Sequence, residues 1–172
     1  MHSANGAGVG SGVIAATRDT TDAADPEERA VVDMKLELVP VPVSDVDRAK
    51  AFYVDQIGFN VDLDHQITDE LRVVQLTPPG SACSIMLGTG VVQSAPGSIE
   101  NLHLVVADIH AARSLLVERG VEVSAVETFG GAEGQEVSDA QHAQFLDERP
   151  AVSYAYFKDP DGNSWALQQL PY

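Results

Sequence analysis

Apolar and polar residues alternate in short bursts from about Met34 onward, and Gly, Pro, Asn or Asp punctuates most of them. In "KLELVPVPV", Val39, Val41 and Val43 fall on one side and Leu38, Pro40 and Pro42 on the other. A period of two predicts a strand. Its prolines cannot donate to a ladder, so the strand is expected at an edge or paired on one side. The period then lengthens: Val46, Ala49, Phe52 and Tyr53 form a helical stripe. Ser44 is the expected cap, with Asp47 three residues on, and Gly58 is the expected stop. Three more strands are predicted, at about 59–65, 71–76 and 83–87, the last after the turn "TPPGS".

After a Gly, Ser and Pro-containing linker at about 89–98 the pattern starts again. Asp45 and Asp108 stand 63 residues apart, and at that offset Val46 matches Ile109, Ala49 matches Ala112, Phe52 matches Leu115 and Leu38 matches Asn101. Gly58 and Gly120 end the two helical stretches, with one residue deleted in the second copy. The second copy continues with predicted strands at 121–126, 152–157 and 164–170, and with a long loop at 127–150. In that loop "GGAEG" offers hinges and Phe145 a side chain able to cover a ligand. The chain therefore reads as an α+β fold of two tandem βαβββ modules, about 34–88 and 99–171, in a single domain over 33–171. Two curved mixed sheets of this kind are expected to enclose a ligand cleft. Residues 1–32 lack a sustained apolar period and read as an acidic, disordered or loosely attached tail.

Composition narrows the partners. The formal net charge is −16, which disfavours nucleic acid and anionic membranes, because phosphate binding needs Lys and Arg. It suits solubility, or attraction of a cationic small molecule. Cys83 is the only cysteine, so no intramolecular disulfide and no Cys-rich zinc site is expected. Its parity with Ile85 and Leu87 predicts a small buried hydrophobe. No apolar run approaches the roughly 20 residues that span a bilayer, and no basic n-region opens the chain, so a cytoplasmic location is expected.

The repeat, the opening "PVSDVDRAKAFYVDQIGF" and the ending "FKDPDGNSWALQ" together resemble the vicinal oxygen chelate superfamily. That group holds glyoxalase I, extradiol dioxygenases, fosfomycin-resistance enzymes and bleomycin-binding resistance proteins. The resemblance implies a homodimer and, in metal-using members, a divalent ion held by His, Glu or Gln on the first and last strands of each module. Carried onto this chain, the four ligand positions are Leu38, Met86, Asn101 and Ala166. Leu and Ala cannot bind a metal, Met is soft, and Asn alone is weak. No metal and no other cofactor is therefore expected.

His103 and Gln168 lie two residues beyond Asn101 and Ala166, on the same strand faces. A ring nitrogen and an amide facing a cleft can bind a ligand, and His103 can serve as a catalytic acid or base. Leu38, Pro40, Ser84 and Met86 are expected on the cleft face of module one, and Arg72, Gln75, Tyr154 and Tyr156 are candidate polar contacts. Two functions stay open. One is metal-independent binding of a hydrophobic or cationic metabolite or antibiotic, as in bleomycin-resistance-like sequestration. The other is a glyoxalase-like lyase, isomerase or dioxygenase that uses His103 or a shifted metal site.

Overall fold

The computed structural model describes residues 32–130 and 151–171. The predicted tail up to residue 31, and the loop residues 131–150 with most of "GGAEG" and with Phe145, lie outside the described residues. The elements run β1 (Leu38–Pro40), α1 (Val46–Ala51), β2 (Asn60–Thr68), β3 (Leu71–Thr77), β4 (Ser84–Thr89), β5 (Leu102–Val105), α2 (Ile109–Glu118), β6 (Glu127–Phe129), β7 (Val152–Lys158) and β8 (Ser164–Gln169). They form two four-stranded mixed sheets, ordered β1-β4-β3-β2 and β5-β8-β7-β6. Each opens with a parallel pair, β1 with β4 and β5 with β8. The two sheets repeat one topology, as the sequence repeat predicts. Among the described residues no helix is long and apolar enough to cross a membrane.

The matching Asp residues explain the matching helices. Asp45 (φ −137°, ψ 109°) accepts from the Arg48 N–H, and Asp108 (φ −134°, ψ 106°) accepts from the Ala111 N–H. Each satisfies a backbone donor that the first helical turn leaves unpaired. Asp45, not Ser44, is thus the cap of α1. Beyond Ala51 the helix widens into a π turn, Phe52–Ile57, which ends at Gly58 with φ +95°, a conformation in which a side chain would be strained. Two further differences concern strand lengths. Pro40 and Pro42 hold β1 to three residues. The strand predicted at 121–126 makes one isolated bridge, Val123 to Phe157, and regular pairing waits until β6, inside the predicted loop. Val121 is buried, the Ser124 hydroxyl accepts from the Tyr156 N–H, and Arg113 donates to the Ser124 carbonyl, so this segment is anchored by packing and side-chain bonds.

The core is one cluster. Val74, Leu76, Ile85 and Leu87 come from one sheet, Ala155, Phe157, Trp165 and Leu167 from the other, and Phe52, Tyr53 and Phe59 join them. Tyr53 lies 5.5 Å from Phe59 and 5.8 Å from Trp165, ring centre to ring centre. Burying a large apolar side chain contributes about 1.5–3 kcal/mol, and module one sets two rings, Tyr53 and Phe59, against module two's Trp165 and a third, Phe52, against Phe157.

The turn "DPDGN" fastens the modules. The buried Asp159 carboxylate accepts from the Tyr53 hydroxyl (2.8 Å), from Asn163 Nδ2 (2.7 Å) and from the N–H groups of Asp161, Gly162 and Asn163. Asn163 is fully buried and fully paired: its amide also donates to the Pro42 carbonyl (2.9 Å) and accepts from the Ile99 N–H (3.1 Å). Burial and the Asp159 carboxylate push the Tyr53 hydroxyl far up, so it remains a donor, and its oxygen accepts from Trp165 Nε1. Asp161 takes hydrogen bonds from Ser44 and Arg48. Burial pushes its carboxyl up, but these two donors outweigh burial and hold it below the usual range. Gly97 lies against this turn with φ +75°, where a Cβ would stand 2.1 Å from the Asp161 carbonyl oxygen.

Candidate functional site

Each sheet has a face turned away from the core, and alternation decides what it carries. On β7 and β8, Ala155, Phe157, Trp165 and Leu167 point into the core. Their neighbours Tyr154, Tyr156, Ala166 and Gln168 take the open face, paired as Tyr154 with Gln168 and Tyr156 with Ala166. His103 pairs with Ala166 across the parallel β5–β8 ladder. The predicted residues of module two therefore come together.

Their contacts are specific. His103 Nδ1 is 3.0 Å from Gln168 Oε1, and Gln168 Nε2 donates to the Tyr154 hydroxyl at 3.1 Å. The His103 ring meets Tyr154 edge-on at 5.9 Å. Tyr154 and Tyr156 lie nearly parallel, 7° apart in plane at 6.2 Å. Phe129 of β6 packs on Tyr154 at 5.9 Å. Phe129 is 41% exposed, Tyr156 39% and Val105 53%, so this is an open aromatic shelf with a polar seam. Ala166 is fully buried and forms its floor. Asn101 stands one residue before β5 with φ +58°, and its N–H donates to the Ser164 hydroxyl. His103 also borders a cavity of about 330 Å³ that it shares with the turn Pro78, Pro79, Gly80 and Ser81 of module one.

The open face of the first sheet carries Leu38, Pro40, Gln75, Ser84 and Met86, by the pairings Leu38 with Ser84, Pro40 with Met86 and Gln75 with Met86. Here too a polar seam runs across the strands: Gln75 Nε2 donates to Ser84 Oγ (3.0 Å), the Ser84 hydroxyl donates to Thr77 Oγ1 (2.6 Å), and Thr77 donates to Asp62. Among the described residues no hydrogen bond, ion pair or ring contact joins the two open faces. A larger cavity, about 480 Å³, lies beside Tyr156, where Phe52, Gln56, Val121 and Glu122 meet the end of β7.

Two expectations need correction. Arg72 is not on an open face. It stands three residues before Gln75, and so on the opposite side of β3. There it bridges Asp64 (2.9 Å) and Asp47 (2.9 Å), while Lys50 also holds Asp64 (2.7 Å). Hydrogen bonds from Arg72 and Lys50 hold the Asp64 carboxyl well below the usual carboxylate range, and the two carboxylates push the Arg72 guanidinium up. A depressed carboxyl stabilises the fold above its unfolded value, about pH 4, and loses that contribution as the pH falls through the lower folded value. The stability gap between wild type and Arg72→Ala should thus be constant near neutrality and narrow in acid below about pH 4, as urea titrations at several pH values would read. Cys83, the second correction, is half-buried just before β4, where the Ser81 hydroxyl holds its backbone.

The donor set does not fit a divalent metal. Leu38 and Ala166 have no donor atom, and Met86 and Asn101 make a poor pair. Among the described residues no three His, Cys, Asp or Glu side chains gather as a metal site would need.

The sequence profile of the glyoxalase/bleomycin resistance protein/dioxygenase superfamily matches residues 35–167. The chain belongs to this superfamily. Solved structures agree. TnmS3, an antibiotic-binding protein from Streptomyces sp. CB03234, is 30% identical, with 82% of this chain and 99% of that chain covered and a TM-score of 0.60. A glyoxalase/bleomycin resistance protein from the same organism is 32% identical, over 78% of this chain and 100% of that one, at a TM-score of 0.56. A superfamily member from Sphaerobacter thermophilus DSM 20745 is 25% identical, over 80% and 98%, at 0.59. A comparison with curated proteins finds no match. Within this superfamily, the resemblance drawn from the repeat and "DPDGN" holds, and so does the tandem-module fold.

Proposed function

We propose that this chain is a metal-independent small-molecule-binding protein whose ligand lies on the shelf of Phe129, Tyr154 and Tyr156, over the seam of His103 and Gln168. The observation that carries the reading is the shelf itself: exposed Phe129 and Tyr156 with half-buried Tyr154, the two tyrosines parallel, beside unspent hydrogen-bonding groups. Apolar surface of this kind with a few placed polar atoms is what ligand sites use. The similarity to an antibiotic-binding protein supports a hydrophobic or cationic antibiotic or metabolite, and the net charge of −16 favours cations. The exposed shelf and the exposed Leu63 of the other open face suit a homodimer in which a second copy completes the cleft.

The test is a thermal-shift screen followed by mass spectrometry of each hit. A binder is stabilised saturably, by about 2.7 kcal/mol at a hundredfold excess over Kd, and returns the ligand unchanged. A product whose formation depends on His103 would replace this reading with the enzymatic one. Elemental analysis of the purified protein should find no stoichiometric Zn, Ni, Mn or Fe. A full equivalent that is lost in His103→Ala would overturn metal independence.

A further inference from the structure

The seam on the shelf has a direction. A glutamine carbonyl oxygen cannot donate, so the 3.0 Å contact between Gln168 Oε1 and His103 Nδ1 needs a proton on Nδ1. In the neutral ring that leaves Nε2 bare, as an acceptor. At the other end, the Tyr154 oxygen already accepts from Gln168 Nε2, and among the described residues nothing accepts the Tyr154 proton. One amide therefore sets both ends of the seam, with His103 presenting a lone pair and Tyr154 an O–H. Turning the amide over would reverse both ends together. In either sense the neutral seam presents at least one acceptor and one donor.

We propose that Gln168 is a positioning residue that fixes this polarity, and that the shelf takes planar ligands whose edge carries an adjacent donor and acceptor, such as a cyclic amide or a hydroxy-carbonyl. The ligand's N–H or O–H meets His103 Nε2 and its carbonyl meets Tyr154, while its ring lies against the aromatic shelf. The inference rests on the small-molecule reading above for its ligand, but not for its tautomer. A mismatched edge, with two acceptors, leaves His103 Nε2 facing a lone pair, and an unpaired buried polar group is costly.

The experiment uses the full chain with 15N-labelled histidine. With the ring neutral, the His103 nitrogens should show the Nδ1–H form in the free protein, and Gln168→Leu should release that preference. An Nε2–H ring in the wild type, or an unchanged ring in Gln168→Leu, overturns the assignment. Binding is then read with 2-quinolone, which has a donor and an acceptor on one edge, and N-methyl-2-quinolone, which has only the acceptor. The first should bind about tenfold more tightly or better, a difference that one lost hydrogen bond accounts for, and Gln168→Leu should erase it. Equal affinities overturn the ligand class. If neither compound at millimolar concentration moves the His103 and Tyr154 signals, the ligand class and the shelf reading fail, while the tautomer result is decided separately.

Discussion

Asp159→Ala should cost this protein about 4 kcal/mol of stability, at the upper end of what single substitutions do. The Asp159 carboxylate is buried and takes five donors: the Tyr53 hydroxyl, Asn163 Nδ2 and three backbone N–H groups. Each donor left buried without a partner costs about 1–3 kcal/mol, with some recovered where water enters. Set against a typical total of roughly 5–15 kcal/mol, the loss leaves the fold marginal. Asp159→Asn keeps one carbonyl oxygen but turns an amide toward Asn163 and Tyr53, so an intermediate loss is expected. Trp165 is the only tryptophan, is buried, and donates to Tyr53. Its fluorescence in a urea titration reports on this region directly. A midpoint for Asp159→Ala equal to that of wild type would refute the fastening role.

Tyr154→Ala should act on the ligand and much less on the fold. The side chain lies outside the core cluster, but it links Phe129, His103, Tyr156 and Gln168. Losing one stacked ring and one hydrogen bond is worth about 2–3 kcal/mol, a factor of roughly 30–150 in Kd. Calorimetry with any hit from the screen measures it, and Arg72→Ala, in an ion-pair network on the other sheet, is the control. An unchanged Kd in Tyr154→Ala would move the site away from this face.

Much of this was legible in the sequence, for physical reasons. The matching Asp45 and Asp108 marked two helix starts one repeat apart, because capping is local chemistry, though the first cap is Asp45 and not the expected Ser44. Alternation placed His103, Gln168, Tyr154 and Tyr156 on one surface. The same rule, applied to Arg72 and Gln75, places them on opposite faces, and their spacing of three residues held that signal. Other features carried no local signal. Phe129 lies in a stretch that lacks strand alternation. Asp62 reaches Thr77 because a bulge between Val61 and Leu63 shifts the register of β2, and bulges break the parity on which such reading depends. The pairing of Tyr53 with Asp159 joins residues 106 positions apart, which no pattern within either module reveals.

The fastening turn also bears on how such a chain could arise. Two modules with one topology and matched helix caps look like products of duplication. The turn between β7 and β8 is "DPDGN", whereas its counterpart between β3 and β4 is "TPPGS", which has neither Asp nor Asn. Only the second copy's turn carries the Asp and Asn that bind the Tyr53 hydroxyl and the Pro42 carbonyl of the first. The ancestral symmetry has been spent at this point. The two halves are no longer interchangeable, and a substitution accepted in one is not thereby acceptable at the matching position of the other.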